Sequence, residues 1–217
     1  ESQPMKLFIP IKKESQRVPN KNFRKLPNGL SLWEHTITKF KNFNIFVDTD
    51  CDDLMLDINR FSHVTAYKRH NSLIGHDVSV CDLIVNCIEL NNLTGSLGQI
   101  HITSPVLKAS TLTNAFSYTS RHDSIVACNE LHTRLWRKEH YGYCPVNHNP
   151  LKLEQTQDLP TLFEENSAFY IFNCDQFMSS KSRIGSNPYF YPISYPENVD
   201  IDTEADWQCV SSLLNNQ

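Results

Sequence analysis

The chain has 217 residues and a net charge of −4 with histidine neutral, so it carries no basic surplus that would favour polynucleotide binding. A composition of 40% hydrophobic and 11% aromatic residues excludes wholesale disorder. No apolar run approaches the roughly 20 residues that cross a bilayer, and residues 1–13 lack the apolar core of a secretory signal. We therefore expect a cytoplasmic protein without a membrane partner, formed by a single domain over residues 1–217.

Strands and helices alternate along the first half of the chain. Short apolar runs predict strands, and apolar residues at helical spacing predict helices. A long basic loop follows the first of these strands. In order, we expect a strand at 6–11, a helix at 32–40, a strand at 44–47, a helix from about residue 52, a strand at 64–68 and a helix at 78–90.

The second half continues the alternation, interrupted by one irregular stretch. Residues 95–98 predict a turn because they are bounded by two glycines, and we then expect strands at 99–103 and 124–128 on either side of a helix at 109–118. Residues 130–160 show no clean period and predict an inserted hairpin or lobe. Strands at 167–172 and 190–193 and a closing amphipathic helix complete a three-layer α/β fold with a mainly parallel sheet.

The seven cysteines are odd in number, widely scattered and never spaced C-x-x-C. This spacing argues against a disulfide framework and against a structural zinc site. We interpret the cysteines as reduced thiols.

The loop at residues 12–28 is the most basic part of the chain. In open α/β sheets, ligands bind beyond the carboxyl ends of the strands, and this loop follows the first strand. Its six cations suit a triphosphate, although a solvated charged loop would have the same composition. They are Lys12, Lys13, Arg17, Lys21, Arg24 and Lys25.

Six short motifs occur in order along nearly the whole chain. The opening motif is I-P at 9–10 with S-Q-R-V-P at 15–19 and K-N at 21–22. The others are V-D-T-D at 47–50, T-S-P at 103–105, D-S-I-V at 123–126, E-N-S-A-F-Y at 165–170 and D-I-D-T-E-A-D at 200–206. Together they resemble the motifs of the sialic acid (acylneuraminate) and related sugar-acid cytidylyltransferases. The resemblance implies a Rossmann-like nucleotidyltransferase fold and the transfer of CMP from CTP to a sugar acid, with release of pyrophosphate.

The same resemblance assigns roles to the residues that match its motifs. Lys21 corresponds to a phosphate-contacting lysine, and with Lys12 and Arg17 it forms the expected catalytic set. Asp200 and Asp202 correspond to carboxylates that hold Mg²⁺, a suitable pairing of oxygen ligands with a hard cation. Without the resemblance, an acidic helix cap is the favoured interpretation of both aspartates.

Further residues are expected to bind the nucleotide and the sugar. The nucleotide set is Ser15, Asn22, Arg69 and Ser79, and the substrate set is His101, Thr103 and Ser104. Arg69 and Ser79 have the spacing of an arginine and a serine around the cytosine pocket of the family. A surface charge at Arg69 and a structural histidine at His101 are the competing interpretations.

The basic loop departs from the family pattern at several positions. Ile11-Lys12-Lys13-Glu14 replaces Ala-Arg-Gly-Gly, which removes two glycines that let backbone approach phosphate. Gln16 replaces a lysine, and His76 stands at the position of an aspartate. The sequence consequently leaves three functions open. These are the CTP-dependent enzyme, a related enzyme using GTP with a hexose 1-phosphate or CTP with an eight-carbon ulosonic acid, and a binding protein without turnover.

The resemblance also implies a homodimer in which the inserted lobe reaches the neighbouring active site. Trp136, Tyr141 and Tyr143 in the lobe are residue types that suit such an interface. We therefore expect the lobe, at about residues 130–160, to contribute to dimerisation.

Overall fold

A seven-stranded sheet flanked by helices organises the computed structural model, which describes residues 4–15, 17–75 and 77–215. The strands are β1 (Lys6–Ile11), β2 (Asn44–Thr49), β3 (Val64–Lys68), β4 (Ser96–Ile100), β5 (Ser124–Leu131), β6 (Trp136–Glu139), β7 (Gly142–Pro145), β8 (Leu162–Asn173) and β9 (Pro188–Pro192). The helices are α1 (Leu32–Lys39), α2 (Asp52–Ile58), α3 (Val80–Asn91), α4 (Ala109–Ser117), α5 (Cys174–Ser180) and α6 (Glu204–Asn215).

The sheet order is β3-β2-β1-β4-β8-β5-β9, with β6 and β7 forming a separate hairpin. Strands β3, β2, β1 and β4 are all parallel to one another, so their carboxyl ends meet at one edge. Strand β8 runs antiparallel to both β4 and β5, while β9 is parallel to β5. The prediction of an α/β fold with a mainly parallel sheet is confirmed.

Two apolar clusters pack on opposite faces of the sheet and produce the three layers. One cluster joins the sheet to α1, α2, α4 and α6, and the other joins it to α3 and α5. Adjacent strand residues therefore point into different clusters: Leu7 belongs to the first and Phe8 to the second. Burial of both faces explains why the central strands are nearly continuous apolar runs.

The prediction for β4 is wrong by three residues. The alternating segment at 99–103 suggested the strand, and the preceding glycines suggested a turn, but the strand is Ser96–Ile100. Gly98 lies within the strand. A β-carbon at this position would lie 3.0 Å from the ring of Phe116 in α4, and this close packing explains why the strand has a glycine here. Of these two glycines, Gly95, with φ of +70°, lies before the strand.

The irregular stretch at 130–160 contains the hairpin formed by β6 and β7, as the sequence predicts. The hairpin stands apart from the main sheet, and several of its aromatic side chains face solvent. Tyr141 is 99% exposed and Tyr143 is 69% exposed. Among the helices described here, none has the length and apolar character that crossing a membrane requires.

Candidate active site

A cleft of about 740 Å³ lies at the edge where the four parallel strands end. Its walls include the residues that directly follow these strands: Lys12 after β1, Asp50 after β2, Arg69 after β3 and His101 after β4. Parallel strands bring their carboxyl ends together, so residues far apart in sequence converge here. The topology makes this edge the candidate active site.

Most of the residues that the sequence predicts to bind the nucleotide, substrate or metal, or to act in catalysis, line this cleft. They are Lys12, Ser15, Arg17, Lys21, Asn22, Arg69, His101, Thr103 and Asp202. Ser79, Ser104 and Asp200 do not line it. Ser79 caps α3 in a reciprocal arrangement with Asp82, and Ser104 is buried in the turn after β4. Gln16 and His76 lie outside the described residues.

The basic loop is held in place by hydrogen bonds to its neighbours. The side-chain amide of Asn22 donates to the carbonyl oxygen of Lys12 at 2.7 Å, and the backbone N–H of Lys13 donates to Asp50 Oδ1 at 2.7 Å. The first bond joins the start of the loop to its middle, and the second joins the loop to the residue that follows β2. These contacts give the glycine-poor loop a defined path.

The acidic segment at 200–206 packs against this loop. Asp202 Oδ1 lies 3.0 Å from Arg17 Nη1, and the ammonium group of Lys21 donates to the carbonyl oxygen of Ile201 at 2.7 Å. Asp200 Oδ1 is buried and has no hydrogen-bond partner among the described residues. The segment therefore places two carboxylates beside the cations of the loop.

The interpretation of Asp200 and Asp202 as a helix cap is wrong. Helix α6 is capped by Thr203 and Asp206: the Thr203 hydroxyl accepts from the Asp206 N–H, and the Asp206 carboxylate accepts from the Thr203 N–H. This reciprocal pair is a capping box. The cap leaves the side chains of Asp200 and Asp202 available for another role.

Burial and charge act in opposite directions on Lys21 and Asp200. Burial lowers the pKa of Lys21, and the nearby carboxylates of Asp200 and Asp202 oppose that shift. Burial raises the pKa of Asp200, and the hydroxyl of Thr103 and the charge of Lys21 oppose it. Such paired perturbations at the edge of a cleft are typical of functional sites.

Arg24 and Glu204 form a further contact between the basic loop and the C-terminal segment, in addition to those of Arg17 and Lys21. The two amino groups of Arg24 donate to the two carboxylate oxygens of Glu204, each at 2.7 Å. The same guanidinium lies 4.4 Å from the centre of the Trp207 ring. The beginning of α6 thus fixes the loop in which Lys21 lies.

Arg69 is a buried residue, which corrects the interpretation as a surface charge. It is 3% exposed, and its Nε donates to Oδ1 of Asp48, which is fully buried in β2. Arg69 Nη2 and Asp48 Oδ2 have no partner within the described part of the chain. Sequence reasoning missed Asp48, although a carboxylate that directly follows the apolar run at residues 45–47 is a signal that a buried partner exists.

We expect Asp48→Asn to destabilise the protein by about 3–5 kcal/mol, because the substitution leaves the Arg69 guanidinium buried without its counter-ion. Urea unfolding measures the change. Asp52→Asn is the matched control, since the ion pair of Asp52 with Lys68 is exposed and should contribute little. Equal losses in the two variants would contradict a special role for the buried pair.

His101 is held in its neutral form by its surroundings. Burial, together with the positive charges of Arg183, Lys21 and Lys12, lowers its pKa from the ordinary value of 6.5 to about 4. A neutral imidazole can both donate and accept a hydrogen bond. His101 is therefore suited to contact a polar substrate at neutral pH without adding charge.

The low pKa of His101 predicts a loss of stability in acid. Between pH 6.5 and about 4 the unfolded chain binds a proton at this residue and the folded chain does not, so the free energy of unfolding falls as the pH falls through that window. Urea unfolding across the window should show a shallower fall for His101→Gln than for the wild type. The exposed His140→Gln variant is the control, and an unchanged slope in His101→Gln would refute the assignment.

The cleft brings cations and two neighbouring carboxylates to the carboxyl ends of parallel strands, an arrangement that suits the phosphates of a nucleotide. The sequence pattern of the cytidylyltransferase family matches residues 7–215, and the chain belongs to that family. Two similar curated proteins are N-acylneuraminate cytidylyltransferases of Streptococcus agalactiae, from serotypes V and III. They are 26% and 27% identical over 92% of this chain. The chain spans about half of their length, 51% in each case.

Two solved structures share the fold over almost the whole chain. One is a CMP:2-keto-3-deoxy-manno-octonic acid synthetase complexed with CTP, with a TM-score of 0.69 and 14% identity over 99% of both chains. The other is a 4-diphosphocytidyl-2C-methyl-D-erythritol synthase, with a TM-score of 0.67 and 12% identity over 98% of this chain and 100% of that one. At these identities the likeness shows the fold.

Proposed function

We propose that the protein transfers CMP from CTP to a sialic-acid-like or other ulosonic acid and releases pyrophosphate. The observation that carries this proposal is the convergence of Lys12, Arg17 and Lys21 with Asp200 and Asp202 at one end of the sheet. Membership of the cytidylyltransferase family supports CTP as the nucleotide. The names of the Streptococcus agalactiae relatives support a sugar acid as the acceptor.

The proposed reaction is one in-line displacement at the α-phosphorus of CTP. A bond forms between the acceptor hydroxyl oxygen and that phosphorus, the bond to the bridging oxygen of the β-phosphate breaks, and the hydroxyl proton is released. Enzymes accelerate such transfers mainly by positioning the reactants and by neutralising phosphate charge. Lys12, Arg17 and Lys21 would supply the neutralising charges, and the bonds of Asn22 and Lys13 would hold their loop in register.

The donor set beside Lys21 fits Mg²⁺. Asp200 and Asp202 are hard oxygen donors, and the buried Oδ1 of Asp200 has no partner among the residues described. No group of three or more His, Cys, Asp or Glu side chains suited to a metal occurs within the described ranges. A two-carboxylate site suits Mg²⁺, which retains several waters and shares phosphate oxygens. When bound, the ion would neutralise charge on the phosphates.

Pyrophosphate release tests the proposal. The purified protein is assayed with Mg²⁺ and each of CTP, GTP, UTP and ATP against sialic, eight-carbon ulosonic and hexose 1-phosphate acceptors. We expect release only with CTP and a sugar acid. Release with GTP and a hexose phosphate would replace the proposal with the related enzyme, and nucleotide binding without release would support the binding protein that the altered loop suggests.

We also propose that the hairpin of β6 and β7 forms part of a homodimer interface, because its exposed aromatic side chains suit an interface core. A double variant, Tyr141→Ser with Tyr143→Ser, should shift the protein from dimer to monomer in sedimentation velocity. Tyr195→Ser is the control, since Tyr195 is 64% exposed and lies outside the hairpin. A double variant that remained dimeric would place the interface elsewhere.

A further inference from the structure

Arg183, in the loop between α5 and β9, is fixed over the neighbouring strands β4 and β8. Its guanidinium carbon lies 3.8 Å from the centre of the Tyr170 ring, and its Nη1 donates to Gln99 Oε1 at 2.8 Å. Gln99 and Tyr170 are direct cross-strand partners. The guanidinium therefore has a defined position and orientation.

This cluster has more hydrogen-bond donors than acceptors. Gln99 Nε2 is buried and has no partner among the described residues, although Gln99 is only 1% exposed. Within the same described ranges, no carboxylate lies at ion-pairing distance from Arg183. Glu165, the acidic residue beside Tyr170, accepts the hydrogen bond of the Tyr170 hydroxyl. A guanidinium without a carboxylate partner, beside an amide N–H without an acceptor, is suited to an anion.

The cluster adjoins the cleft at the end of β4. His101, two residues after Gln99, lines the cleft, and the charges of Arg183, Lys12 and Lys21 all act on its pKa. Lys12 and Lys21 belong to the loop after β1, whereas Gln99 and Tyr170 belong to β4 and β8. Arg183 is thus a cation close to the cleft that does not belong to the basic loop.

We propose that Arg183, with the side-chain amide of Gln99, binds the carboxylate of the acid acceptor. The phosphates of CTP are the alternative anion. For these phosphates, however, we already propose the cations of the basic loop and the Mg²⁺ that Asp200 and Asp202 would hold. The planar guanidinium has five N–H donors and can present two of them in parallel to a carboxylate, and the hydrogen bond to Gln99 uses a donor on Nη1. This assignment rests on the proposed function, since it presupposes an acceptor that carries an acid group.

Steady-state kinetics of Arg183→Met and Arg183→Ala test the assignment. Arg183→Met removes the charge and keeps an unbranched side chain to cover the Tyr170 ring, so a purely packing role would leave its kinetics unchanged. We expect both variants to raise the KM for the acid by about 10- to 100-fold, the loss that follows removal of a charged hydrogen bond. The KM for CTP should stay within about twofold, because separate sites are nearly independent in energy. Arg121→Ala, an exposed arginine outside the cleft, is the control.

Calorimetric binding of the acid and of its methyl ester separates the possible outcomes. The wild type should bind the acid more tightly than the ester, and Arg183→Met should bind the two alike. Wild-type turnover with an unchanged acid KM in Arg183→Met would overturn the carboxylate site and leave the proposed function intact. A raised KM for CTP alone would assign Arg183 to the nucleotide phosphates. A wild type that neither binds nor converts any sugar acid would overturn both proposals.

Discussion

Lys21→Ala should lower kcat by about 10²–10³-fold, the loss typical when one group that stabilises transition-state charge is removed. Lys21 lies in the cleft beside Asp200 and Asp202, and its ammonium group is fixed by the carbonyl oxygen of Ile201. Phosphate charge in the proposed reaction would develop next to this group. Single-turnover pyrophosphate release at saturating CTP measures the effect on the chemical step.

Lys25→Ala is the matched control for Lys21→Ala. Lys25 belongs to the same loop, but its ammonium group pairs with Glu34 at 3.0 Å and is largely exposed. Its loss should leave kcat unchanged. Wild-type turnover by Lys21→Ala would remove Lys21 from the catalytic machinery and would contradict the proposed use of the loop.

Asp202→Asn and Asp200→Asn should each lower activity by about 100-fold or more at a fixed Mg²⁺ concentration. Each substitution keeps the size of the side chain and removes a charged oxygen donor. The Mg²⁺ concentration needed for half-maximal activity should therefore rise, with little change in the fold. The measurement is activity against Mg²⁺ concentration, together with calorimetric binding of Mn²⁺ in the presence of CTP. An unaltered metal titration in both variants would rule out this pair as the metal site.

Thr203→Ala separates metal binding from helix capping. The Thr203 hydroxyl accepts a hydrogen bond from the backbone N–H of Asp206 at the start of α6. Removing the hydroxyl should lower the free energy of unfolding by about 1 kcal/mol. Its metal titration should match that of the wild type. The aspartate variants should thus change the metal titration, whereas Thr203→Ala should change only the stability.

The sequence predicts the first strand at residues 6–11 without error because its apolar run is bounded by charged residues and buried on both faces. The same reasoning fails at β4, because glycine is a turn signal in a sequence and the need for space beside Phe116 exists only in the packed fold. Strand β8 is also longer than expected. It extends back to Leu162 along β5, and the polar residues Glu164, Glu165 and Asn166 interrupt the apolar run in this part of the strand.

Some residues of the candidate site can be predicted from short motifs, and others become evident only in the folded structure. Lys21, Asn22 and Asp202 lie in short motifs and could be found from the sequence. Asp48 and Arg183 could not be assigned, because each acts through a partner that is remote in the chain. Asp48 is 21 residues from Arg69, and Arg183 is 84 residues from Gln99. Their roles depend on which strands are neighbours, and that information belongs to the sheet order.

The contacts of Arg24 with Glu204 and of Lys21 with Ile201 each join residues 180 positions apart. During synthesis on the ribosome, the basic loop emerges long before the segment that fixes it. The strands β1 to β4 can pair while the loop still lacks those partners, so the candidate site would be completed only after α6 has been made. A chain that ended between β9 and residue 200 would consequently contain all seven strands of the main sheet but lack the segment that fixes the basic loop.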